Sequence, residues 1–181
     1  MALSITGERL LRPHAQEAIA AARAVWRAAK LSQADVHLTF VLDLEMRALN
    51  RRWRGKDRPT DVLSFSAVEG EFVVGDDRFL GDVVISVETA LRQARACGHS
   101  LAVEVGVLVC HGICHLAGLD HERGAVFAEQ QLMVEMTILD AAALPVTAAL
   151  VGRGGSSDER GVVRSRGASG RPRARATRQR R

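Results

Sequence analysis

The chain has 181 residues, 47% of them apolar. It is long enough for one domain with a real core, too short for two ordinary ones, and too apolar to be disordered throughout. No uncharged apolar run approaches the roughly 18 residues of a membrane span, and the early Glu8, Arg12, His14 and Glu17 do not read as a signal peptide. A cytoplasmic protein with no membrane partner is the expectation.

The formal net charge of +4 conceals a split: residues 152–181 hold ten Arg and two acids, net +8, while residues 1–151 hold fifteen Lys+Arg and nineteen acids, net −4. An acidic body and a basic tail have different roles, and the division is expected to be a domain over 1–151 followed by a disordered Arg/Gly/Ser-rich tail over 152–181.

Leu3 to Thr6 is expected as a short edge strand. From Pro13 to Lys30 an Ala-rich stretch carries Ile19, Ala22, Val25 and Trp26 at helical spacing, with Pro13 in the first turn. Val36, Leu38, Phe40 and Leu42 alternate with His37, Thr39 and Val41, the period of a strand, with His37 facing outward. Asp43 is placed as the cap of a helix running to about Trp53, with Leu44, Ala48, Leu49 and Trp53 inward. Gly55 and Pro59 mark a loop. Strand patterns return at 62–67 and 81–87, and Phe72–Val74 and Arg78–Leu80 around Gly75-Asp76-Asp77 suggest a hairpin.

Ser86 or Glu88 begins the next helix, which ends near Gly98, and Ser100 can cap another with Glu104 in its first turn. The stretch Leu101–Ala117 is apolar nearly all round, the mark of a buried central helix. A last helix spans about Ala125–Ala142, with Phe127, Leu132, Met136 and Leu139 inward. The order predicts an α+β domain: one small mixed sheet covered by helices, its central buried helix carrying two of three metal-binding histidines.

Those histidines are His111, His115 and His121, half of the six in the chain. Residues four apart on a helix are separated by about 40° and one turn of rise, so His111 and His115 share a face. Gly118 can take the left-handed conformation that ends the helix and swings His121 back towards them. Three neutral imidazoles with one open position is the layout of a catalytic zinc, one ion per chain. Such an ion lowers the pKa of bound water to about 7, or polarises a carbonyl or phosphoryl oxygen. The ligand spacing is that of H-E-x-x-H-x-x-G-x-x-H zinc peptidases, but Gly112 stands where they carry the glutamate base, which counts against a peptidase unless Asp120 or Glu122 substitutes.

Cys97, Cys110 and Cys114 are not spaced as a disulfide framework and suit a reducing compartment. Cys114 is read as a small core residue, with approach to the metal as the alternative. Glu104, Asp120 and Glu122 are candidates to hydrogen-bond the ligand imidazoles, against the plainer readings of a helix-end charge and exposed turn acids. Asp82 either enters the pocket from its strand end or caps a turn. The Arg51-Arg52-Trp53-Arg54-Gly55-Lys56 run is the densest cation cluster of the body; it fits a phosphodiester substrate and equally a solvated helix end.

Three blocks in order, Arg54-Gly55-Lys56-Asp57-Arg58-Pro59-Thr60-Asp61-Val62-Leu63-Ser64-Phe65, Leu80-Gly81-Asp82-Val83 and His111-Gly112-x-x-His115-Leu116-x-Gly118-x-Asp120-His121, make roughly residues 1–145 resemble the YbeY family of bacterial ribosomal-RNA maturation factors. The resemblance implies a single-strand-specific, metal-dependent endoribonuclease acting on 16S ribosomal RNA at its 3′ end, with the small ribosomal subunit as partner and a part in ribosome quality control. It implies zinc ligation by His111, His115 and His121, and a functional arginine at Arg54. Cys114, Leu119 and Ser66 depart from the family pattern without removing a ligand. A body of net −4 with no Tyr favours local cationic contacts or delivery by the ribosome over tight autonomous RNA binding, and the basic tail would add salt-sensitive affinity. Two rivals stand beside this reading: the zinc peptidase, and a non-enzymatic assembly factor whose zinc is structural.

Overall fold

The computed structural model describes residues 2–31, 34–67, 78–119, 121, 124–146 and 161–163. The strands are β1 (Leu3–Thr6), β2 (Asp35–Val41), β3 (Val62–Ser66), β4 (Phe79–Ser86) and β5 (Gly161–Val163). The helices are α1 (Ala15–Ala28), α2 (Asp43–Arg54), α3 (Val87–Cys97), α4 (Leu101–Leu116) and α5 (Ala125–Ala141), with a 3-10 turn at Glu8–Leu11. One sheet runs in the order β1-β2-β4-β3-β5. It is mixed, because β1, β2 and β4 are mutually parallel, β3 is antiparallel to β4, and β5 is parallel to β3. This is the α+β architecture expected.

The period-two alternation of the strands sorts the core into two layers. Val36, Leu38, Phe40, Val62, Val83 and Ile85 face one side and pack with Ala18, Ala22 and Val25 of α1, Val105, Leu108 and Val109 of α4 and Leu139 of α5. Val41, Leu63 and Val84 face the other and pack against Met46 of α2 in a smaller cluster. Every residue of α4 from Val103 to Leu116 is buried, as its all-round apolar sequence requires. Ser100 caps it, its Oγ accepting the Val103 N–H at 3.3 Å, and Ser86 caps α3 through the Thr89 N–H. Among the described residues no single helix is long and apolar enough to cross a membrane.

Several expectations are corrected. α1 starts at Ala15 rather than Pro13, because His14 stands outside the helical region at φ −91°, ψ 16° and serves as the N-cap. Asp43 does not cap α2: its carboxylate is drawn to Thr89 Oγ1 at 2.7 Å, Arg92 at 2.8 Å and Ser86 Oγ, while Glu88 of α3 accepts the Asp43 N–H at 2.7 Å. The inner face of α2 is Met46 and Asn50, not Leu44 and Trp53, which are 79% and 43% exposed. Asn50 can be buried because its amide donates to the Arg58 carbonyl at 2.7 Å. Along α5, Leu139 is buried and Leu132 and Met136 pack against the core as expected, but Gln131 and Glu135 are buried with them and Phe127 is exposed.

The expected hairpin over 72–80 falls mostly outside the described residues; Phe79 and Leu80 are the start of β4. Of the tail, only Gly161–Val163 are described, and they form β5 beside β3.

Candidate metal centre

Rigid burial of α4 fixes the directions of the two imidazoles it carries. His111 and His115 are 4% and 2% exposed, one turn apart near the helix end. The helix closes at Ala117, with the Gly118 N–H returning to the His115 carbonyl and the Leu119 N–H to that of Cys114, both at 3.0 Å. Gly118 has φ +85°, the left-handed conformation expected of it. The chain turns back, and His121 meets the other two: ring centroids are 4.5 Å apart for His111–His115, 5.2 Å for His111–His121 and 5.0 Å for His115–His121.

One ring nitrogen from each lies within 4.8 Å of the others, and Nε2 of His111 and of His115 are 2.9 Å apart. Nitrogens around a tetrahedral zinc stand about 3.3 Å apart, so the donor set fits a single small cation. Among the described residues no other His, Cys, Asp or Glu joins the group. Cys114 lies in the apolar core, as its plainer reading held, and beside Cys110, whose thiol pKa is pushed up by the hydrogen bond with Cys114 and by burial.

The residues that orient the imidazoles come from α5, and sequence reasoning missed them. His111 Nδ1 lies 2.8 Å from Oε1 of the buried Glu135; donating its proton there turns an unprotonated Nε2 to the centre of the cluster. Gln131 Nε2 donates to the same Glu135 oxygen at 2.7 Å. Gln131 Oε1 accepts the His121 backbone N–H at 3.1 Å and faces its Nδ1 at 3.4 Å. A buried chain of polar groups thus runs from His111 through Glu135 and Gln131 to His121. The available signal was a Gln and a Glu at a spacing of four, on one face by the same rule that paired the histidines, in a helix that also carries Glu129, Gln130, Thr137 and Asp140.

Gly112 has a structural reason of its own. A Cβ there would stand 2.7 and 3.0 Å from the Val83 methyls and 3.1 Å from Ser64 Oγ, and that hydroxyl already donates to the Gly112 carbonyl at 3.3 Å. The position faces the sheet, so it offers a peptidase glutamate neither room nor a view of the cluster. Gly81 plays a related part: with φ +141°, its absent Cβ leaves space for the Phe65 carbonyl and for Leu116 at the end of α4.

The remaining candidates lie elsewhere. Glu104 is buried and pairs with His99 at 3.0 Å near the start of α4. Asp82 pairs with His37 across β2 and β4 at 3.4 Å, on the face of the sheet away from α4. Asp120 and Glu122 lie outside the described residues.

Arg54 is the last residue of α2, half-buried, just before Gly55 in the left-handed conformation. α2 covers the sheet face opposite α4, but both helices end at the same end of the sheet. Trp53 meets Phe65 edge-on at 5.7 Å and Leu116 approaches Gly81, and Phe65 and Ser66 pair with Asp82 and Gly81.

The family model for the endoribonuclease YbeY matches residues 7–141. Curated relatives named endoribonuclease YbeY include one from Moorella thermoacetica, 40% identical over 146 residues that make up 75% of this chain and 94% of its own. Another, from Chelativorans sp., is 42% identical over 76% of this chain and 82% of its own. A third, from Aquifex aeolicus, is 53% identical over 52% of this chain and 61% of its own. The histidine cluster, the glycine that seats α4 on the sheet and the mixed five-stranded frame are therefore found in a chain that belongs to the YbeY endoribonuclease family.

Proposed function

We propose that this protein is a zinc-dependent, single-strand-specific endoribonuclease of the cytoplasm that matures the 3′ end of 16S ribosomal RNA on the small ribosomal subunit and serves in ribosome quality control. The observation that carries the reading is the convergence of His111, His115 and His121 within 4.8 Å, with Glu135 and Gln131 holding two of the rings.

These three histidines would hold one zinc ion. When bound, zinc supplies Lewis acidity for a phosphoryl oxygen and a depressed pKa for water. The protein's own part is to fix the imidazoles. Glu135 keeps the His111 proton on Nδ1, and Gln131 ties the His121 backbone to the same buried carboxylate. Arg54 has the role of stabilising the charge that develops on the scissile phosphate, a task suited to a planar, permanently charged guanidinium. Gly112 argues against the peptidase, and the core position of Cys114 against a closed four-ligand structural zinc.

The test is cleavage of a single-stranded RNA, its duplex and an unstructured polypeptide by the intact protein and by His115→Ala. Cleavage of the single strand alone, lost with His115→Ala, is expected; polypeptide cleavage, or RNA cleavage that survives the substitution, overturns the reading. A 2′,3′-cyclic phosphate end would identify the RNA 2′-hydroxyl as nucleophile.

A further inference from the structure

The sheet has a second feature at the end where α4 delivers its histidines. α2 covers Val41, Leu63 and Val84, and among the described residues the side chains further along that face keep part of their surface exposed. Across three strands, Phe65 stands opposite Asp82, and Asp82 opposite His37. Their chain neighbours Ser64, Val83, Val36 and Leu38 face α4 or the main core, so these three point the other way. The Phe79 ring lies 4.8 Å from that of His37. Trp53, 43% exposed, stands edge-on to Phe65, and the Arg52 guanidinium lies over the Trp53 ring at 5.1 Å. The His37 and Asp82 side chains are 54% and 44% exposed, and Phe65 and Phe79 are half-buried.

The rim of this surface is cationic. Arg51, Arg52 and Arg54 occupy the last turn of α2 and Lys56 and Arg58 follow it, while Asp57, the acid within that run, is held through both oxygens by Arg47 at 2.8 and 2.9 Å. Aromatic rings and guanidinium planes stack on bases that are free of a duplex, and flanking cations follow the phosphates. A protein partner would want a continuous apolar patch; here Asp82 and His37 interrupt the rings, and cations border them.

We propose that this partly exposed sheet face is a stacking platform for the single-stranded RNA that leads to the metal centre, with bases resting on Trp53, Phe65 and the Phe79–His37 pair and phosphates on the α2 terminus. The inference rests on the ribonuclease reading above and adds where the strand lies. It gives that reading a physical source of strand selectivity, since paired bases have no faces to offer. Asp82, at the centre of the row, is an acceptor for base N–H groups.

The chain has two tryptophans, and the half-buried Trp26 makes no hydrogen bond through Nε1 among the described residues. Trp26→Phe therefore breaks no hydrogen bond and leaves Trp53 as the sole fluorescent reporter. Titrating that protein with a 2′-O-methyl oligoribonucleotide of about eight residues should quench its emission to saturation, and the duplex should not. Trp53→Ala and Arg52→Gln, both at exposed positions, should each weaken binding read by anisotropy about tenfold, the scale of one lost stack, with zinc content unchanged. Oligonucleotide binding without any change in Trp53 emission, while the protein still cleaves RNA, overturns the platform and leaves the ribonuclease standing. Neither binding nor cleavage overturns both. An emission change that follows protein concentration without RNA makes the face an interface between copies, which also overturns the proposal.

Discussion

Glu135 is the group through which the metal site is most sharply tested, because it is buried, charged and absent from the histidine motif. Its Oε1 accepts from His111 Nδ1 at 2.8 Å and from Gln131 Nε2 at 2.7 Å, and its side chain is 5% exposed. Glu135→Gln keeps an oxygen there and removes the charge. Hydrogen bonds to an ionised acceptor are roughly twice as strong as neutral ones, and only the one to His111 is coupled directly to a ligand, so zinc affinity should fall about tenfold. Glu135→Ala leaves a buried N–H on His111 without its acceptor, a cost of about 1–3 kcal/mol, and frees the ring to rotate; the loss should approach about 100-fold. Competition against a chromophoric zinc chelator measures both, and thermal unfolding in excess chelator separates ligand orientation from loss of fold. Zinc affinities within about twofold of the parent in both folded variants would refute the reasoning.

Four further outcomes are expected. Gly112→Ala pushes a methyl against Val83 and Ser64 and should cost about 1–3 kcal/mol; unchanged thermal stability would show that α4 can lift off the sheet. Burial raises the Asp43 carboxyl pKa, but hydrogen bonds from Arg92, Ser86 and Thr89 outweigh it and hold the group below its ordinary 3.8. Its contribution is therefore complete above that value and fades as pH falls through it towards the lower folded pKa; Asp43→Asn should destabilise at neutral pH and blunt this acid loss in a pH series of denaturant titrations. Arg54→Ala should lower RNA turnover while zinc content holds, and loss of zinc as well would make the residue structural. Truncation after Val163 keeps β5 and removes eight Arg, so RNA affinity at low salt should drop and its salt dependence flatten.

What was legible in the sequence was local. His111 and His115 sit one turn apart on a helix too apolar to be anywhere but the core, and Gly118 supplies the turn that returns His121; spacing alone carries all of this. The strands at 35–41 and 79–86 were readable because alternate residues face opposite layers. The failures are non-local. Glu135 is twenty-four residues from His111, and although the spacing of four puts Gln131 and Glu135 on one face of α5, it does not say that this face, rather than the one with Phe127, turns inward. In α2 the apolar Leu44 and Trp53 yielded the inner face to Met46 and Asn50, because the Arg58 carbonyl in the loop just after the helix accepts from the Asn50 amide and a neighbouring helix claims Asp43. Arg54 was legible as a cation at a helix end, but its place on the far layer follows only from which face of β3 carries Phe65.

The central claim is that one cation held by His111, His115 and His121 powers RNA cleavage. The most direct measurement is to strip the purified protein with a chelator, return zinc in substoichiometric steps, and follow cleavage of a single-stranded RNA at each step. Activity should rise in proportion to bound zinc and stop rising at one ion per chain. Full cleavage by the zinc-free protein, or a rise that continues well past one equivalent, would contradict it.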